Sequence, residues 1–172
     1  MALLPIVTAP DPRLKLVSKK IERVDADLRK FMADMLETMY AANGVGLAAI
    51  QVGVPKRVAV IDIDPKGKNS KPMHFINPSI VWRSHEKIDH HEGCLSVPDI
   101  WDDVGRNQRV KVEYTDEHGK KQTLEADGLL AIALQHEIDH LNGKLFVDHL
   151  SKLKRNIALR KVAKMKRTSE AG

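Results

Sequence analysis

The chain carries H-E-x-x-H once, as His136-Glu137-Ile138-Asp139-His140. On an α-helix, residues four apart share one face, a turn above one another. Two imidazoles placed this way can hold one divalent ion, and the glutamate beside the first can take a proton from water there. The same spacing also arises by chance on an exposed helix, so the neighbours matter. A catalytic site of this type needs a third protein ligand and one open position. An extended protease pattern would put that ligand at Phe146, which cannot ligate. Downstream, Asp148 and His149 stand just past the helix end and Glu170 near the C-terminus. Upstream stands the single cysteine, Cys94, in H-H-E-G-C-L-S-V-P. A lone cysteine has no internal disulfide partner and is by default a small core residue. Gly93 beside it permits close approach, while Glu92 and Ser96 are poor company for apolar burial. A Cys94 thiolate with His136 and His140 makes a three-ligand set that leaves one position for water.

The elements that must position these residues are legible. The run Leu129 to Leu134 is apolar on every side, the pattern of a helix buried inside a domain. Asp127 is placed to cap its start and Asn142-Gly143 to end it, which predicts a helix over 128–141. Leu129, Ile132 and Ala133 share the histidine face, either as core or as an apolar pocket beside the metal. Asp11-Pro12 predicts a short helical turn. Asp25 caps an amphipathic helix over 26–42, whose Leu28, Phe31, Met32, Met35, Leu36, Met39 and Tyr40 read as a core face. Asn43-Gly44 ends it. Gly44-Val45-Gly46 then permits close approach of a ligand to the backbone, and no G-K-S/T follows to make it a phosphate loop. Gln51 has an amide able to donate to a developing oxyanion. Strands are expected at 57–63, 73–82, 87–95, 109–115 and 121–126, the last two flanking a hairpin turn at E-H-G-K. The expected class is α+β, with short antiparallel β-sheets around a central metal-binding helix.

The chain has 172 residues, 30% charged and 42% hydrophobic, the range of one globular domain with a substantial core. No run of some twenty apolar residues exists to span a membrane, and the N-terminus lacks a basic region followed by an apolar core. One cysteine gives no disulfide framework. These features suit a reducing cytoplasm. Residues 151–172 hold five lysines and three arginines against one glutamate, a net of +7 in a chain of +5, so the rest is −2. The basicity belongs to one C-terminal helix, with Leu153, Ile157, Leu159, Val162, Ala163 and Met165 as a partial apolar face. It reads either as a solvated surface helix or as an anchor on a polyanion. The expected organisation is a catalytic unit over 1–150 and a basic helix over 151–172, packed on it or extending from it.

Three segments in order, G-V-G-L-A-A-I-Q at 44–51, E-G-C-L-S at 92–96 and Q-H-E-I-D-H at 135–140, resemble the peptide deformylases. The resemblance runs from P-D-P-R-L near the start to the basic tail. It implies a metal-dependent hydrolase that removes the formyl group from the formylmethionine of newly synthesised polypeptides, with release of formate. It implies Cys94, His136 and His140 as metal ligands and Glu137 as the proton carrier. Gln51 and the backbone N–H of Leu95 would stabilise the oxyanion. Val45, Gly46, Glu92, Gly93, Leu129 and Ile132 would bind substrate, with the methionine side chain against Leu129 and Ile132. Main-chain groups of Val45 and Gly93 would align the N-formylmethionyl peptide as an added strand. The implied metal is ferrous iron, one per chain, with zinc or another divalent ion as the alternative. Action on nascent chains implies the ribosome surface near the exit tunnel as a partner of the basic helix, and no membrane.

The chain departs from that pattern in two places. His90 and His91 stand where apolar or acidic residues are usual. Either His90 borders the methionine pocket and makes it more polar, or the two form a solvent-facing pair. Trp101 stands near a position often held by arginine, with Asp102 and Asp103 beside it, while Arg106 matches the usual arginine after this segment. Two rival functions differ in class. A metallopeptidase cleaving internal bonds shares H-E-x-x-H, but Cys94 and G-x-G-L-A-A-x-Q argue against it. A non-catalytic ribosome- or nucleic-acid-binding module with a structural metal fits the basic tail, but Glu137 and Gln51 argue against it.

Overall fold

The structure, a computed structural model, describes residues 2–171, the side chains of Glu170 and Ala171 excepted. The ligand candidate Glu170 therefore lies outside the described side chains, as do the ends of the two expected units, Met1 and Gly172. The elements run α1 (Ala26–Ala41), β1 (Gly46–Ala48), β2 (Val58–Ile61), β3 (Met73–Arg83), β4 (Lys87–Cys94), β5 (Val97–Asn107), β6 (Arg109–Thr115), β7 (Lys121–Asp127), α2 (Gly128–Leu141) and α3 (Lys152–Ala171). Short 3₁₀ turns occupy Pro12–Lys15, Ala49–Val52 and Phe146–His149. The strands form an antiparallel five-stranded sheet in the order β1-β2-β3-β6-β7 and a separate β4–β5 hairpin sheet. The fold is α+β.

One sheet carries a helix on each face. α1 lays Leu28, Met32, Met35 and Met39 against Leu47, Val58, Val60 and Ile76. Each such side chain contributes about 1.5–3 kcal/mol of transfer free energy. The alternate residues of the same strands, Ile61 and Phe75, face α2 with Val110 and Val112, against Ala131, Ala133, Leu134 and Ile138. β2 is buried on both sides, so it shows no polar alternation. The hairpin packs Val97 and Val104 on Phe146, Val147, Ala158 and Val162. α2 thus lies between the large sheet and the hairpin, which brings its histidines to the end of β4.

The caps are mostly those the sequence predicts. Asp25 accepts from the Leu28 N–H at 2.9 Å and Asp11 from the Arg13 N–H at 2.9 Å. α1 ends at Ala41, and Asn43 takes φ +60° just beyond it. At the end of α2, Gly143 takes φ +78°, and a Cβ there would strike the Lys15 carbonyl oxygen. Only glycine fits such a stop without strain. The Leu141 carbonyl accepts from the Ser18 N–H at 2.9 Å and from Arg57 Nη1 at 3.0 Å.

Three expectations are corrected. Asp127 precedes α2 but its side chain makes no capping hydrogen bond; Gly128 at φ +56° turns the chain there instead. The segment after the cysteine motif is an eleven-residue strand, β5, that the sequence did not suggest. Pro98, Gly105 and Asp99 at φ +63° interrupt its pattern, and pairing with β4 holds it extended. The apolar face of α3 is Ala158, Val162 and the half-buried Leu159 and Met165, while Leu153 and Ile157 are exposed. α3 therefore packs on the body of the molecule. Among the described residues, no helix is long and apolar enough to cross a membrane.

Candidate metal centre and active site

The last residue of β4 meets the last two turns of α2. Cys94 Sγ lies 3.4 Å from His140 Nε2, which lies 3.2 Å from His136 Nε2, and the three ligand atoms fall within 4.8 Å of one another. The other downstream candidates are employed elsewhere. Asp148 accepts from the Leu145 N–H at 2.9 Å, His149 pairs with Asp139 at 2.7 Å, and Phe146 stacks on the His136 ring.

The surroundings orient this cluster. His136 Nδ1 is 2.9 Å from Glu92 Oε1. With that nitrogen donating, the Nε2 lone pair points at Cys94 and His140. Burial works to raise the Glu92 carboxyl, but the Arg106 guanidinium and His136 outweigh it and bring it down to about 2. Burial and the neighbouring His136 hold His140 well below the ordinary imidazole range, so it stays neutral with a lone pair available. His136 goes the other way. Burial lowers it, yet Glu137, Cys94 and Glu92 together raise it well above its usual value. One cysteine sulfur and two imidazole nitrogens converging on one point fit a divalent metal ion by ligand type and number.

Glu137 is buried beside the ligands. Burial pushes its carboxyl up to about 7, against the pull of His136, and Oε1 has no partner among the described residues. A Cβ on Gly46 would lie 2.5 Å from Glu137 Oε2, so the glycine makes room for the carboxylate. Gln51 is 1% exposed; its Oε1 accepts from the Ala48 N–H at 2.9 Å. Its Nε2 donates to Ser96 Oγ at 3.0 Å and sits 3.5 Å from Cys94 Sγ. Leu95 and Ser96 form the turn between β4 and β5.

Above these groups opens a cleft of about 480 Å³. Val45, Gly46, Glu92, Gly93, Leu95, Leu129 and Ile132 all line it. Both Glu92 oxygens are already engaged, by Arg106 and His136, so that side chain is committed within the protein. Among the described residues, β1 is an edge strand of its sheet and β4 pairs with β5 alone, so each presents a free backbone edge beside the cleft. The two neighbouring histidines divide: His91 is exposed and paired with Asp103 at 2.9 Å, whereas His90 lines the cleft. Trp101 also lines it, 62% exposed, with its ring against Gly93 and stacked on His91. Sequence reasoning missed the chain of contacts behind His136. Arg106 joins Glu92 to Asp139, at 2.7 Å from each, and no spacing rule links positions so far apart.

An α+β body that sets one thiolate and two imidazoles around a buried glutamate, at the floor of an open cleft, defines a metal-dependent hydrolase site. The family profile described as polypeptide deformylase matches residues 3–156. A peptide deformylase of Rhizobium meliloti is 52% identical over 171 residues, 99% of this chain and 98% of that one. A peptide deformylase of Ehrlichia chaffeensis, solved in complex with actinonin, superposes with a TM-score of 0.91 at 49% identity, covering 97% of this chain and 99% of that one. One from Legionella pneumophila gives 0.92 at 47% identity, with 99% of both chains covered. The chain belongs to the polypeptide deformylase family, the hydrolases that remove the formyl group from the N-terminal formylmethionine of newly synthesised polypeptides. The rival binding-module and endopeptidase readings are thereby set aside.

Proposed function

We propose that the residues described above divide the deformylation chemistry as follows. Cys94, His136 and His140 hold the ion, which when bound supplies Lewis acidity to water and to the formyl carbonyl. Glu137 accepts a proton from the attacking water, whose oxygen adds to the formyl carbon. Gln51 Nε2 and the Leu95 backbone N–H donate to the oxyanion that develops. The carbon–nitrogen bond then breaks, Glu137 returns the proton to the departing nitrogen, and formate and a free methionine N-terminus result. Leu129 and Ile132 receive the methionine side chain, a flexible thioether suited to an apolar slot. Backbone at Val45, Gly46 and Gly93 aligns the peptide between the two strand edges. The side chain of Glu92 orients His136 instead of touching substrate.

The observation that carries this assignment is the buried Glu137 carboxylate, with one oxygen unpartnered, beside three converging ligand atoms. The test is formate release from formyl-Met-Ala by protein purified without oxygen, alongside Glu137→Ala and Cys94→Ser. Loss in both variants supports the roles; activity retained by Glu137→Ala removes Glu137 from the reaction.

Ferrous iron is our choice of metal, with zinc as the alternative, since thiolate and imidazole suit both. Metal analysis of the anaerobically purified protein decides between them. We further assign α3 to the ribosome surface and the enzyme to the cytoplasm, where nascent chains emerge. Lys152, Lys154, Arg160, Lys161, Lys164 and Arg167 are exposed along α3, a charge pattern suited to RNA phosphates. Salt-sensitive co-sedimentation with ribosomes, lost on K161E/K164E/R167E, supports the assignment; salt-insensitive or unchanged binding overturns it.

A further inference from the structure

Trp101 is the most exposed of the large apolar side chains that line the cleft. Its place follows from the hairpin. β4 and β5 run antiparallel with His91 opposite Asp103 and Glu92 opposite Asp102. Residues opposite one another share a face, and so do residues two apart along a strand. Trp101 therefore stands on the face of Asp103 and His91, and its ring stacks on the His91 ring with centroids 6.0 Å apart. Glu92 marks the other face, since it reaches His136 of α2. A Cβ on Gly93 would lie 2.7 Å from three carbons of the indole six-membered ring. Because residue 93 has no side chain, the indole leans from β5 across β4, whose far edge is free among the described residues. A strand added at that edge lies about 4.8 Å further on, within van der Waals reach of the ring.

We propose that Trp101 is a specificity-determining residue for the second residue of the substrate, a stacking platform that favours arginine and aromatic side chains there. The inference rests on the formylmethionyl-peptide reading above. Side chains of an extended peptide alternate between faces. With the methionine side chain turned toward Leu129 and Ile132 of α2, the next one turns to the outer face, beside the indole. A flat aromatic ring stacks on that surface, and a guanidinium stacks on it with the added attraction of cation for π-system. Asp99 is exposed at the same cleft, and no lysine or arginine lines it. Arginine therefore gains twice, and an acidic second residue is disfavoured.

The test compares kcat/KM for formyl-Met-Arg-Ala, formyl-Met-Phe-Ala, formyl-Met-Ala-Ala and formyl-Met-Ala-Arg in wild type, Trp101→Ala and Trp101→Phe. Each ratio to formyl-Met-Ala-Ala is taken within one protein, so losses of folded fraction or metal cancel. Trp101→Ala is expected to lower the ratios for arginine and phenylalanine at the second residue roughly three- to tenfold, and to leave the ratio for arginine at the third residue unchanged. Trp101→Phe, which keeps an aromatic face, restores much of both. Unchanged ratios, whether or not all rates fall together, would make Trp101 a cover for Gly93 and overturn the inference. A loss confined to arginine at the third residue overturns it as well. Neither result touches the deformylase reading. No formate from any of the four peptides with wild type overturns both.

Discussion

Arg106 grips Glu92 with two donors, Nε to Oε2 at 2.7 Å and Nη2 to Oε1 at 2.9 Å, and both side chains are only 3% exposed. The same Glu92 Oε1 holds His136 Nδ1 at 2.9 Å, so the guanidinium sits one step behind a metal ligand. Removing one partner of a buried ion pair leaves the other uncompensated, at a cost of about 3–5 kcal/mol. Arg106→Met is expected to lower Tm and to weaken metal binding by roughly 10–100-fold, because His136 loses its fixed orientation. Thermal unfolding together with chelator competition checks this. Unchanged metal affinity in a folded variant would show that His136 holds its pose without Glu92.

Glu137→Gln keeps the size of the side chain and removes its capacity to carry a proton. Activity is expected to fall about 10²–10⁴-fold, while bound metal stays near one per chain. Cys94→Ser should instead lose metal and activity together. Metal analysis beside formate release separates the two; substantial metal loss in Glu137→Gln would make the glutamate a structural partner of the ligands.

Gly46 and Glu137 compete for the same space, since a Cβ at residue 46 would lie 2.5 Å from the carboxylate oxygen. Gly46→Ala should displace that carboxylate. A misplacement near 1 Å costs on the order of 10²-fold in rate, so kcat is expected to drop about that far with metal content preserved. Full activity would mean that β1 shifts to absorb the methyl group.

Tyr40 donates to Asp62 Oδ2 at 2.7 Å, and Ser70 donates to the same oxygen at 2.7 Å, tying the 64–72 loop to α1. Burial, then the Asp62 carboxylate, pushes the Tyr40 phenol from 10.0 up to about 12. A raised pKa on this group means its contribution is complete below pH 10 and lost as pH rises toward 12. Asp62 has the opposite sign. Burial raises it, but donors from Ser70, Tyr40 and two backbone N–H groups outweigh burial, so its contribution fades only as pH falls below the usual carboxylate range. Tyr40→Phe is expected to cost about 1–3 kcal/mol at neutral pH and to flatten the loss between pH 10 and 12. Denaturant unfolding across that range measures both effects; an unchanged alkaline slope would assign the loss to another group.

What the residues determined by themselves is what spacing and local chemistry express. The i, i+4 histidines with an intervening glutamate, an apolar helix and an Asn-Gly stop place α2 within 128–141, as observed. Asp25 with its heptad-like methionines does the same for α1, because caps and amphipathic period are properties of adjacent residues. The lone Cys94 could be offered as a ligand from composition alone, but its convergence with His136 and His140 joins positions more than forty residues apart, and only the packing of the β4–β5 hairpin over α2 brings them together. The same holds for Arg106 behind Glu92 and for the space that Gly46 leaves for Glu137. β5 was illegible because pairing with β4 holds it extended while Pro98, Asp99 and Gly105 break its pattern. The division of His90 from His91 was equally beyond the sequence. In a strand adjacent side chains face opposite ways, so which histidine enters the cleft follows from the register of β4 on β5 and the side of that hairpin that meets α2.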